Sequence, residues 1–104
     1  MIDKYTLNNF RGLPISSNEV LQKLSFSEAD VLTKMEDIRV RGTNIDKGIA
    51  LGKSKLLKTH IIIKSGDELF KVESQINAID ANYVYTQTGL KIPIVCIYSV
   101  DFLQ

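Results

Sequence analysis

The residues best suited to covalent or acid–base chemistry are His60 and Cys96, the single histidine and single cysteine of the chain. A thiol and an imidazole form a nucleophile–base pair when the fold brings them within hydrogen-bond reach. Their surroundings argue against it. His60 adjoins the run Ile61-Ile62-Ile63, and Cys96 stands in Ile94-Val95-Cys96-Ile97, where a thiol packs as a small hydrophobe. A zinc site needs three or four ligands, more than one histidine and one cysteine supply without carboxylates. The carboxylates are scattered singly or as neighbours such as Glu36-Asp37 and Asp67-Glu68. The expectation is a non-enzymatic protein with no catalytic residue, no metal, no cofactor and no identifiable small-molecule substrate.

Gly48-Ile49-Ala50-Leu51-Gly52-Lys53-Ser54 has the flavour of a phosphate loop. Such a loop needs four residues between its glycines and must open a helix. Here three intervene and no helical pattern follows, so the stretch reads as two flexible strand ends.

Charge supplies the strongest asymmetry. Residues 39–64 hold seven Lys or Arg against one Asp, whereas 16–38 and 65–104 each hold two Lys against five acids. Arg39, Arg41, Lys53, Lys55 and Lys58 could form a face that neutralises phosphates. Tyr83 and Tyr85 alternate to one side of a strand and could stack bases beside it. The pI of about 7.8 lies below that of a dedicated nucleic-acid binder. Acidic and basic regions side by side also favour self-association or docking to a protein partner. Protein binding is therefore the first expectation, and nucleic-acid binding through residues 39–64 the second.

These side chains must be positioned by about one domain's worth of chain. The 104 residues, 44% of them hydrophobic, allow one core and one domain, 1–104. No apolar run approaches the ~18–20 residues of a membrane span. The opening residues do not read as a secretory signal, and a lone cysteine gives no disulfide, so the expected location is cytoplasmic.

Residues 1–15 read as an irregular lead-in and 16–38 as helical. Ser16 with Glu19 fits a capping box before Val20, Leu21 and Leu24. Ser27 and Asp30 mark a second start, and Val31, Leu32, Met35 and Ile38 recur at helical spacing, which predicts a helix over 28–37. From 39 onward the chain reads as mostly β. Ile38 and Val40 alternate with arginines, Gly42–Gly48 reads as a polar turn, and His60–Lys64 as a strand. Ser65-Gly66-Asp67-Glu68 turns into a long half-buried strand, 70–78, with small Ser74 where it could bend. Asp80-Ala81-Asn82 and Thr88-Gly89 punctuate Tyr83–Gln87 and Leu90–Val95. Pro93 lacks a ladder donor and marks an edge or a bulge. The core should include Val31, Leu32, Met35, Ile61, Ile63, Phe70, Val72, Ile76, Val84, Ile92, Ile94 and Ile97.

Residues 59–100, THIIIKSGDELFKVESQINAIDANYVYTQTGLKIPIVCIYSV, resemble the strand order of SH3-like and Sm-like small β-barrels. The resemblance implies a helix before a curled antiparallel sheet. Ile94-Val95-Cys96-Ile97 stands where the Sm group carries its Arg-Gly or Lys-His pair, so no RNA pocket is implied. The expected architecture is α+β, with two short N-terminal helices followed by a four- to five-stranded antiparallel sheet curled into a small barrel.

Overall fold

The computed structural model describes residues 12–55 and 58–102, and the side chains of residues 54 and 55 fall outside that description. Most of the lead-in therefore lies outside the described residues, as does the side chain of Lys55. At the described N-terminal end, Ile15 pairs in parallel with Lys71, and the Ser16 N–H donates to the Lys71 carbonyl at 2.9 Å.

The chain is α+β. A five-residue helix, α1 (Asn18–Gln22), begins one residue later than the capping box implies. Its cap is Ser17, whose Oγ accepts from the Val20 N–H at 3.3 Å. The helix expected over 28–37 is absent. Ser27 Oγ accepts from the Ala29 N–H, Asp30 Oδ1 accepts from the Leu32 N–H, and the Val31 N–H donates to the Val95 carbonyl. Those capping side chains close local turns instead, because the segment's backbone and the Asp30 carboxylate both have distant partners.

The long helix, α2 (Met35–Lys55), occupies the stretch read as strand, turn and strand. Ile38, Arg41, Ile45, Gly48, Ile49 and Gly52 fall on one helical face, and Arg41, Ile45, Gly48 and Gly52 are buried. An arginine and two glycines interrupt the apolar stripe, so hydrophobic periodicity does not mark it. The phosphate-loop look-alike is helix interior, not strand ends. At Gly48 the helix lies close against the sheets. A Cβ there would meet Ile76 Cδ1 at 3.2 Å and Thr59 Cγ2 at 3.3 Å.

Among the described residues six strands follow, rather than four or five. They are β1 (Thr59–Ser65), β2 (Glu68–Ser74), β3 (Ile76–Ile79), β4 (Tyr83–Thr86), β5 (Lys91–Pro93) and β6 (Ile97–Phe102), with a 3-10 turn over Ile94–Cys96. They form two antiparallel sheets, β2-β1-β6 and β3-β4-β5, not a closed barrel. The long strand expected over 70–78 leaves one sheet for the other at Gln75, beside Ser74. Helix α2 packs against β6 of the first sheet and β3 of the second. Helix α2 thus bridges the two sheets. The turns at Gly66 (φ +60°) and Gly89 (φ +91°) sit where the sequence places them. Pro93 is in β5, an outer strand.

The core contains seven of the expected residues, Ile61, Ile63, Val72, Ile76, Val84, Ile92 and Ile97, together with Leu21, Ile45, Leu90, Cys96 and Val100. Phe70 and Ile94 pack against it, and Val31 and Leu32 are half-buried. Met35 is 78% exposed, because α2 begins with it instead of ending near it.

The two classes of helix glycine separate in a stability measurement. Gly48→Leu should lower the unfolding free energy by about 2 kcal/mol, since the added side chain has no room against Ile76 and Thr59. Gly42→Ala, with nothing within 4 Å of its Cβ, should raise it by about 0.5–1 kcal/mol through helix propensity. Denaturant titration of both variants reads the difference.

Candidate functional site

The expected basic face is divided by α2. Arg39 and Lys53 are on its exposed side, fourteen residues and about 21 Å apart along the axis. Arg39 pairs with Glu36 one turn earlier, at 2.5 Å, with both side chains 68% exposed. Lys58 is exposed between α2 and β1. Lys47 sits over the Phe102 ring, 5.1 Å from its centroid.

Arg41 is the exception. It lies on the buried side of α2, 5% exposed, and is not available to a phosphate. Its Nη1 and Nη2 donate to Asp30 Oδ1 and Oδ2 at 2.7 and 2.6 Å, and Nη1 also donates to the Ile97 carbonyl at 3.1 Å. The Arg41 guanidinium holds the Asp30 carboxyl below its ordinary pKa, assisted by the Leu32 N–H. Nε has no hydrogen-bond partner. The pair fixes the irregular segment around residues 27–32 against the 3-10 turn and β6.

Tyr83 and Tyr85 do share the outward side of β4, while Val84 and Thr86 face inward. Their ring centroids are 6.4 Å apart and the planes tilt by 50°. Tyr85 Oη donates to Asp80 Oδ2 at 2.5 Å, which draws the Asp80 pKa down and pushes that of Tyr85 up. Lys91, placed across from Tyr85 by the hairpin through Gly89, carries its Nζ 4.1 Å from the Tyr83 centroid.

Between this strand end and the segment held by Arg41 runs an open groove of about 760 Å³. Phe26, Ser27 and Glu28 line it on one side, and Ala81, Asn82, Tyr83 and Lys91 on another. Pro93, Ile94, Val95 and Arg41 complete it. A smaller hollow of about 210 Å³, lined by Leu21, Ile63, Leu90 and Ile92, shares Phe26 and Lys91 with it. Of the residues singled out in the sequence, the groove gathers only Tyr83 and Arg41. Phe26, Glu28, Asn82 and Lys91 were not singled out. The hairpin register could have supplied Lys91, but nothing local announces that residues 26–28 fold back on β5.

His60 and Cys96 are not in contact. His60 is on the β1 face opposite Ile61, in register with Glu73 of β2 and Asp101 of β6, and its Nε2 is 3.1 Å from Glu73 Oε1. Buried Lys71 adjoins this row. Burial pushes the Asp101 pKa up, against the opposing charges of His60 and Lys71. Cys96 is wholly buried, with Sγ 3.6 Å from the Ser27 carbonyl, and burial pushes its thiol pKa up. Among the described residues no group of three or more His, Cys, Asp or Glu could hold a metal ion. No described helix is long and apolar enough to cross a membrane. No protein-family model, curated protein or solved structure matches the chain.

Removing one partner of the buried pair should cost far more than removing an exposed one. Arg41→Met is expected to lower stability by about 3 kcal/mol, and the double variant with Asp30→Asn by less than the sum of the singles. Arg39→Met should change it by about 0.5 kcal/mol or less. Chemical denaturation of the four proteins measures both effects.

Two carboxylates should respond to pH with opposite sign. The Asp30 pKa is lowered by folding, so its contribution is complete above the ordinary carboxylate value and is lost as pH falls through the lowered one. The Asp101 pKa is raised, so its charge costs stability above that raised value and the cost vanishes on acidification. Asp101→Asn should therefore be more stable than wild type at neutral pH, with the gap closing in acid. Thermal melts across pH 3–8 test the sign.

Proposed function

We propose that this protein is a non-enzymatic module that binds a protein partner, and that the groove between residues 26–28 and the β4–β5 end receives an extended segment of it. The carrying observation is the groove's mixed lining. Phe26, Tyr83, Pro93 and Ile94 offer apolar and aromatic surface, beside the polar side chains of Asn82 and Lys91. That combination suits a peptide, whose main chain needs hydrogen bonds and whose side chains need apolar seats.

The succession of strands supports kinship with small barrels. A long strand breaks between two sheets at Gln75, a meander follows, and a 3-10 turn precedes the last strand. A cytoplasmic setting belongs to the same reading and is supported by Cys96, the only cysteine, which is buried and unpaired.

Nucleic-acid binding is the second reading, favoured by the neighbouring rings of Tyr83 and Tyr85 with Lys91 alongside. The engagement of Arg41 by Asp30 counts against it, because one cation of the basic stretch is already neutralised.

Selection from a library of random peptides, paired with anisotropy of labelled oligonucleotides at low and high salt, separates the two. The proposal predicts selected peptides whose affinity falls about tenfold in Tyr83→Ala. It also predicts no change in peptide affinity when Lys53, Lys55 and Lys58 are all replaced by Gln. Oligonucleotide binding that weakens steeply with salt and is lost in that triple variant would replace it with the second reading.

A further inference from the structure

The hollow beside the groove has walls of a different kind. Leu21 of α1, Ile63 of β1, and Leu90 and Ile92 at β5 form its apolar walls, and all four belong to the core. Helix α1 is held there by the β4–β5 hairpin, where Asn18 Nδ2 donates to the Thr88 carbonyl at 3.1 Å. Gly89 also lines the hollow, and an added Cβ there would meet nothing within 4 Å. Its polar side chains, Gln22 and Lys91, are both exposed. Lys91 and Phe26 line the groove as well, whereas Glu28 lines the groove alone. Asp80 attracts Lys91 at a distance, yet no carboxylate among the described residues forms an ion pair with it. The one charge common to the two cavities is therefore positive and unpaired.

Resting on the peptide-binding reading above, we propose that the partner segment fills the hollow with one large aliphatic or aromatic side chain and carries, beside it, an Asp or Glu that pairs with Lys91. An apolar cavity of about 150 Å³ accommodates a benzene ring. The hollow, at about 210 Å³, has room for a leucine or phenylalanine side chain. Water inside finds few polar partners on those walls, so apolar atoms that displace it gain affinity. A single anchored side chain of this kind carries a large share of a peptide's binding energy. The ammonium at the boundary then selects among anchored segments. A carboxylate next to the anchor meets Lys91 in a charge-assisted hydrogen bond, whereas a lysine or arginine there is repelled.

The test selects short random peptides on the wild-type protein and, separately, on Lys91→Glu. Circular dichroism verifies that the variant is folded, and Lys91→Gln takes its place if reversal of charge near Asp80 weakens the fold. The expected wild-type pool shares one large apolar residue with Asp or Glu close by. On Lys91→Glu the apolar residue should remain while the acidic preference vanishes or turns to Lys and Arg. A selected peptide should lose about tenfold in affinity for the wild-type protein when its apolar residue becomes Ala. It should lose about fivefold on the Lys91 variant, the scale of one exposed ion pair. In methyl nuclear magnetic resonance, binding should shift Leu21, Ile63, Leu90 and Ile92 more than buried Ile45 of α2. Peptides that leave those four methyl sets unmoved, or a pool without acidic preference, would overturn this inference while leaving the groove a peptide site. No selectable peptide on either protein would overturn the peptide-binding reading itself.

Discussion

The rest of the structure depends on the buried ion pair between Arg41 and Asp30. An arginine on the inward side of a helix pays a desolvation penalty of several kcal/mol unless its donors are met. Here Asp30 meets two of them end-on and the Ile97 carbonyl shares one, across eleven and fifty-six residues of sequence. The arrangement ties three separate pieces of chain together: α2, the irregular segment before it, and the start of β6. It also explains why that segment is not helical. With Asp30 turned toward Arg41 and the Val31 N–H directed to Val95, residues 27–32 cannot close helical bonds on themselves. What they form instead is one wall of the groove.

The same helix decides how the sheets relate. Inward residues of both sheets share one core, to which α2 adds Ile45 by lying against β6 and β3. The contact needs a small residue where the helix crosses Thr59 and Ile76, and Gly48 provides it. Helix propensity is lost at Gly42, Gly48 and Gly52, so tertiary packing rather than intrinsic preference must hold these turns.

The β half of the molecule was largely readable from residue types, and the helical half was not. In β1 to β5 the cues are local. β-branched and aromatic residues alternate, Gly66 and Gly89 take positive φ, and Pro93 marks an outer strand, so strand positions and six core residues follow from pattern alone. In α2 the buried face is written in Arg41, Gly48 and Gly52, residue types that signal surface and turn. Reading them so moved the helix seven residues early and turned its true span into strands. The expected basic face is divided for a related reason. Positive charge along the sequence was taken as positive charge on a surface, yet α2 sends Arg39 and Arg41 to opposite sides. Tyr83 and Tyr85 do share one side of β4, because period-two alternation fixes which face a strand residue takes. Glu28, Phe26 and Asn82 line the groove beside Tyr83 only through long-range folding that no local cue reports.

Function in this account follows from what the ion pair leaves over. Arg41 is held by Asp30, Cys96 is buried beneath Ser27, and His60 lies against Glu73 on another face, which is why the proposed binding role is assigned to the groove instead. The most direct test is nuclear magnetic resonance of the arginine side chains, comparing solvent exchange of the guanidinium protons of Arg41 and Arg39. The account predicts that the Arg41 protons are slowly exchanging and well resolved near neutral pH, while those of exposed Arg39 exchange rapidly. Equally rapid exchange at both would mean that Arg41 is not locked to Asp30. The groove wall built on that pair would then fall with it.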